Sequence, residues 1–181
     1  MQLHTMVNLK EFIHPKMDLL FVALNAPEVS NANAHWFSYN LSFWNLLYRS
    51  GIITRSIADP LTGDVSVFRD TKINFKNWII GVTDLNREVV STQSNAVVTN
   101  ATQVNRILSI LAKNSVKRIC LMHSMVAEEF EIAGIISRNN KHGANQFGIV
   151  GNYNSTIIFE VPFHSGNSIP NKEFYYLKLI K

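Results

Sequence analysis

The chain has 181 residues, 46% of them hydrophobic and 17% charged, with a formal net charge of +4. That balance supports one folded domain with a sizeable core and excludes a disordered or low-complexity chain, while the mild basicity permits a polyanionic partner without demanding one. The single cysteine, Cys120, excludes an internal disulfide framework and a cysteine-built metal site, and fits a reducing compartment.

In chain order, the opening MQLHTMVNLKEF lacks the apolar core of a signal peptide, and no run reaches the ~18 apolar residues of a membrane span. The expectation is a soluble monomer with no membrane partner, located in the cytoplasm (with the nucleoid, if bacterial). The first strand is expected over Asp18–Leu24 (DLLFVAL), which stops at Asn25. A loop with Pro27, Ser30, Asn31 and Asn33 leads to His35-Trp36-Phe37. Asn31 and Asn33 read as loop formers and Trp36 as packing. Leu41–Arg49 reads as a helix with Leu41, Trp44, Leu47 and Tyr48 on one side. Residues 58–76 read as a polar insert with turn signals from Pro60 to Gly63.

The second strand is expected over Trp78–Val82. A helix follows over Thr102–Lys113, with Asn100 or Thr102 as N-cap and Val104, Ile107, Leu108 and Leu111 inward. The third strand is Arg118–Met122. Ser124 opens a helix with Val126, Phe130 and Ala133 as its apolar stripe. Residues 137–155 read as loop, Thr156–Val161 as the fourth strand, and NKEFYYLKLIK as the first turns of a last helix. The strands are short, apolar and without polar alternation, as in a parallel sheet covered on both faces. The predicted fold is three-layer α/β/α around a central four-stranded, mainly parallel sheet, as one domain over residues 1–181.

Such sheets bind ligands beyond the carboxyl ends of their strands. Those ends carry Asn25-Ala26-Pro27, Thr83-Asp84-Leu85-Asn86-Arg87, His123-Ser124 and Pro162-Phe163-His164-Ser165-Gly166-Asn167-Ser168. Each has an ordinary reading beside a chemical one. Asn25 suits a turn, Asp84 suits a cap or a pair with Arg87, and the rings suit a core. His164 and Ser165 are adjacent, so on extended chain they face opposite ways and make a poor nucleophile–base pair. His35, His123 and His164 lack metal spacing, and GxGxxG and P-loop signatures are missing, so neither a metal nor a cofactor is expected.

Three of these segments resemble, in order and spacing, the uracil-DNA glycosylase superfamily, most closely its mismatch-specific uracil/thymine branch. The family's Gly-Ile-Asn-Pro-Gly segment corresponds to Ala23-Leu24-Asn25-Ala26-Pro27, followed by Phe37 at an aromatic position and Phe43-Trp44-Asn45 at a helix start. Its Gly-Val-Thr-Asp-Leu-x-x-Arg block corresponds to Gly81 through Arg87, with the arginine one place early. Its terminal Pro-Asn-Pro-Ser-Gly segment corresponds to Pro162 through Gly166. The resemblance spans residues 17–170.

It implies hydrolysis of the N-glycosidic bond of a uracil or other deaminated base flipped out of DNA that carries a damaged or mismatched base. Asn25 would hold the attacking water and His164 would serve at the catalytic centre. Leu24, Ala26, Phe37, Thr83 and Asp84 would bind the base, with Phe37 stacking on it. Arg87, Ser165, Gly166, Asn167 and Ser168 would contact DNA, the last three at the wedge into the duplex. An amide can orient water but cannot act as a general base. The sequence departs from the family at Ala26-Pro27, Phe163-His164 and Ile169. These departures motivate an alternative, a degenerate member that binds damaged or single-stranded DNA without chemistry. A flavodoxin-like small-molecule binder or an unrelated hydrolase is the third reading.

Overall fold

The computed structural model describes residues 5–139 and 146–181. The four apolar runs form Leu19–Ala23 (β2), Ile80–Asp84 (β3), Arg118–Leu121 (β5) and Thr156–Glu160 (β7), all mutually parallel. A fifth strand, Gly148–Tyr153 (β6), pairs antiparallel with β7, giving the order β3-β2-β5-β7-β6. The expected four-stranded sheet is therefore five-stranded, and the later part of the expected loop 137–155 is strand, while residues 140–145 lie outside the described residues. GIVGNY, with two glycines and an asparagine, has weak strand propensity of its own. The exposed edge of β7 and a register shift between Ile149 and Gly151 accommodate it. Lys16–Met17 (β1) and Ser115–Val116 (β4) form a separate two-residue parallel pair.

Both sheet faces are covered, which explains the unbroken apolar strands. Leu19, Phe21 and Ala23 face one cluster with Phe43, Trp44 and Leu47 of Ser42–Arg49 (α2) and Tyr176 of Lys172–Leu177 (α5). Leu20, Val22 and Leu24 face the other, with Val104, Ile107 and Leu111 of Ala101–Lys113 (α3) and Val126 and Phe130 of Ser124–Ile132 (α4). Asn100 caps α3 through a capping box with Gln103. In α4 the buried stripe is Val126, Ala127 and Phe130. Ala133, expected inside, is exposed because the helix ends there and its C-cap turns outward. Tyr48, expected on the inner side of α2, is 47% exposed, and Phe43 and Leu46 take that side instead.

Two segments read as loops are structured. Glu28–Asn33 is a short helix (α1), stopped by Ala34 at φ 57°. Asn31 is buried there. Its Oδ1 accepts from Asn8 N at 2.6 Å and its Nδ2 donates to Met6 O at 2.9 Å, fastening the N-terminal segment. The insert 58–76 contains a π-helical turn, Val65–Asp70, whose Val67 and Phe68 are fully buried. Asn74 Nδ2 ties it down through the Val67 and Trp78 carbonyls, both at 2.8 Å. The N-terminal segment runs antiparallel past β3, with Phe12 and Val82 exchanging bonds of 3.1 and 3.0 Å, so the edge of the sheet is covered. Gly81 permits that approach, since a Cβ there would stand 2.4 Å from Phe12 O.

Candidate functional site

The carboxyl ends of β2, β3, β5 and β7 open into one cavity of about 730 Å³, within the usual range for small-molecule sites. Asn25, Phe37, Asp84, His123, Phe163 and His164 all line it. Four segments more than 130 residues apart end to end thus meet, because parallel strands all deliver their carboxyl ends to one edge.

Asn25 is held from behind. The β2–β3 ladder continues past the strands through Leu85 N to Ala23 O and Asn86 N to Leu24 O, both 2.8 Å, and through a bridge between Ala26 and Val90. Asn86 Oδ1 accepts from the Glu88 and Val89 amides, turning that chain back towards β2. Asn25 Nδ2 then donates to Ser91 O at 2.9 Å, Ala26 O at 3.2 Å and Val89 O at 3.3 Å. With three carbonyls on the nitrogen, the amide orientation is settled, and no donor among the described residues bonds Oδ1. Asn25 therefore presents an acceptor oxygen to a cavity that it lines.

Phe37 stacks on Phe43 at 3.8 Å between centroids and meets Trp44 and His164 edge-on at 5.9 and 5.5 Å. It is partly exposed, has φ 51°, and its carbonyl accepts from Trp44 Nε1 at 3.1 Å. A bulky residue in the left-handed region needs support from its surroundings. Asp64, 2% exposed at the cap of the π-helical turn, supplies it. Its carboxylate accepts from Trp36 N at 3.0 Å and Val65 N at 2.8 Å and pairs with His35 Nδ1 at 3.0 Å. The insert read as a polar loop is thus the anchor for the aromatic wall.

His164 lies against Phe37, Phe43 and Phe163, and Ser42 Oγ is 2.7 Å from its Nδ1. The partner of His164 is Ser42 of α2, across 122 residues, rather than its neighbour Ser165. The Ser42 hydroxyl has no other acceptor among the described residues, so it donates to Nδ1 and leaves the proton of the neutral ring on Nε2. Burial, with the nearby Lys172 ammonium, lowers the imidazole to about 4, so His164 is neutral at physiological pH. Lys172 reaches His164 O at 3.4 Å. His123 caps α4 by accepting from Met125 N at 3.1 Å and meets Phe163 at 5.6 Å, and burial lowers its pKa also.

Asp84 is fully buried at the end of β3. Arg87 Nη1 donates to its Oδ2 at 3.2 Å, and Arg87 also bonds Leu9 O and pairs with Glu11 at 3.3 Å. Arg106 of α3 pairs with Glu11 at 2.8 Å and reaches Thr83 Oγ1 at 3.2 Å and the Asp84 carbonyl. Desolvation outweighs the two arginines and raises the Asp84 carboxyl to about 7. Arg87 is 20% exposed and engaged in this network. Thr83 and Ala26 are fully buried and are not among the residues lining the cavity, whereas Leu24 is. Ser165, Gly166 and Asn167 form a rim, with Gly166, Asn167 and Ser168 exposed. Asn167 Nδ2 turns back to Phe163 O at 2.9 Å and Ser165 O at 3.2 Å, shaping that loop.

The sequence reading missed Ser42, Asp64, Glu11 and Arg106. Each takes its meaning from a partner at least 22 residues away in the chain, and Asp64 looked like a turn residue after Gly63. Among the described residues, no cluster of three or more His, Cys, Asp or Glu side chains could hold a metal ion, and no helix is long and apolar enough to cross a membrane. Fold and site together define an α/β protein with a polar, ring-lined cleft at the carboxyl ends of a mostly parallel sheet. No protein-family model matches the chain, and no curated protein matches it in sequence.

Proposed function

We propose that the chain is a monofunctional DNA glycosylase that hydrolyses the N-glycosidic bond of a flipped-out uracil or other deaminated base, as a base-excision-repair enzyme with a uracil-DNA glycosylase-like fold. The observation that carries this reading is the juxtaposition of Asn25 Oδ1, the Phe37 ring and neutral His164 around one cavity. A duplex hides its bases, so chemistry at the glycosidic carbon requires extrusion into a fitted pocket with a ring to stack on.

Asn25 accepts a hydrogen bond from the attacking water and orients it, and cannot remove its proton in the ground state. The main gain comes from positioning and from stabilising the departing base as an anion. His164 suits the second task. Its Nε2–H is a neutral donor that strengthens its bond as charge develops on a base oxygen. An imidazolium is not needed there, and burial disfavours one. Uracil leaves as a more stable anion than adenine does, so an enzyme without a strong acid prefers uracil and other good leaving groups. The rim from Ser165 to Ser168 meets the backbone and the gap in the duplex. The chain carries a net charge of +4, and binding weakens as salt rises.

The test is incubation with single- and double-stranded oligonucleotides carrying one uracil or hypoxanthine, followed by alkaline cleavage of abasic sites. Cleavage is expected, and Asn25→Ala lowers the rate by roughly 10²–10³-fold, the scale of one lost orienting or oxyanion contact. Failure to release any base at stoichiometric protein refutes the enzyme. Salt-dependent DNA binding that survives Asn25→Ala would then mark the chain as a binding protein without chemistry.

A further inference from the structure

The cavity wall contains a carboxyl oxygen without a partner. Asp84 lines the cavity beside Leu9 and Ala23 and is fully buried. Its Oδ2 accepts from Arg87, while Oδ1 makes no hydrogen bond. The charged groups acting on it are Arg87 in the turn after β3, Arg106 of α3, and Glu11 of the N-terminal segment. On the neighbouring strand β2 the opposite residue is Ala23, which is apolar. Both guanidiniums are spent elsewhere, on Glu11, the Leu9 and Asp84 carbonyls and Thr83. A buried carboxylate oxygen facing no donor is unfavourable, whereas a protonated one is a donor seeking an acceptor.

We propose that Asp84 Oδ1 carries a proton and donates a hydrogen bond to a carbonyl oxygen of the ligand in the cleft. The identity of that ligand as a deaminated base rests on the glycosylase reading. Because Arg87 donates to Oδ2, that oxygen is the acceptor half of the carboxyl group and the proton belongs on Oδ1. Burial places the carboxyl near 7, so the donor form is well populated at neutral pH. The contact has a consequence for selection. Uracil and hypoxanthine carry a carbonyl oxygen where cytosine and adenine carry an amino group. An O–H donor pairs with the first and opposes the second, so Asp84 separates a deaminated base from its parent.

The experiment measures uptake of free uracil and free cytosine by calorimetric titration at pH 5.5, 7.0 and 8.5, for the wild type, Asp84→Asn and Asp84→Leu. Folding of each variant is checked by circular dichroism. With a carboxyl near 7, wild-type affinity for uracil falls about thirtyfold from pH 5.5 to 8.5, following the protonated fraction. Asp84→Asn keeps a donor at that position, so it takes up uracil with affinity constant to within about twofold over the same range. Asp84→Leu loses at least about tenfold at pH 5.5, the scale of one lost hydrogen bond in a buried site. Cytosine is taken up more weakly than uracil by both the wild type and Asp84→Asn. Affinity that rises with pH, Asp84→Asn as weak as Asp84→Leu, or no uracil uptake by the wild type overturns the proposal. Uracil uptake with this pH profile, together with no release of uracil from DNA, keeps the Asp84 contact and refutes only the glycosylase reading.

Discussion

Replacing Asp84 by asparagine tests the electrostatics of the cleft without any substrate. The folded-state carboxyl lies near 7, against 3.8 for the free side chain, and burial is the leading cause. A raised carboxyl pKa means that the folded state holds its proton longer than the unfolded chain does. Below pH 4 both states are protonated and Asp84 contributes its full stability. Between pH 4 and 7 the unfolded chain ionises first, so stability falls by about 1.4 kcal/mol per pH unit, and above 7 the loss is complete. Over that span of about 3 units the loss is about 4 kcal/mol. Asparagine does not titrate and has nearly the same shape. The stability of Asp84→Asn relative to wild type should therefore grow by about 4 kcal/mol from pH 4 to pH 8, a large part of a domain's total. Urea unfolding at half-unit pH steps measures it, and subtracting the two curves cancels every other titrating group. A difference that stays flat, or one that shrinks as pH rises, would show that Arg87 and Arg106 dominate and that Asp84 is an ordinary ion pair.

Phe37→Ala should weaken binding of uracil-containing DNA by roughly 1–3 kcal/mol, the worth of one base–aromatic stack, as read by fluorescence anisotropy at fixed salt. Asp64→Ala leaves the Trp36 amide without its acceptor. It should lower stability by about 1–3 kcal/mol in urea unfolding, and lower activity more than Asp64→Asn does, since the wall bearing Phe37 loses its anchor. His164 is lowered to about 4, so it is neutral across the neutral range. In the Asp84→Asn background the rate should stay flat from pH 8 to about 5.5 and fall only as the imidazole protonates near 4. A fall with a midpoint near 6.5 would contradict the burial of His164.

Much of the fold was legible in the sequence because the parallel strands are self-announcing. Leu19–Ala23, Ile80–Asp84, Arg118–Leu121 and Thr156–Glu160 sit between two apolar layers, so each needs an unbroken apolar run. Asn100 announced α3 because a capping box is a local contract between residues three apart. Asn25, Asp84 and His164 stood out because they interrupt or follow such runs at the strand ends, where a parallel sheet places its ligands. The chain alone also set the covalent limits, one buried thiol and a mild positive charge.

Tertiary structure decided what those residues can do. β6 is strand because β7 offers it hydrogen bonds, a partner that no window over GIVGNY contains. The insert folds inward because Phe68 finds Trp44 at 5.8 Å, and only then can Asp64 hold the Trp36 amide and shape the loop of Phe37. His164 is neutral because three phenylalanine rings and Ser42, drawn from distant segments, take it out of water. Asp84 is proton-bearing because the cavity gives it Arg87 on one oxygen and nothing on the other. Residue type and order are properties of the chain, whereas desolvation, charge pairing and hydrogen-bond vacancy are properties of the place to which folding carries each group.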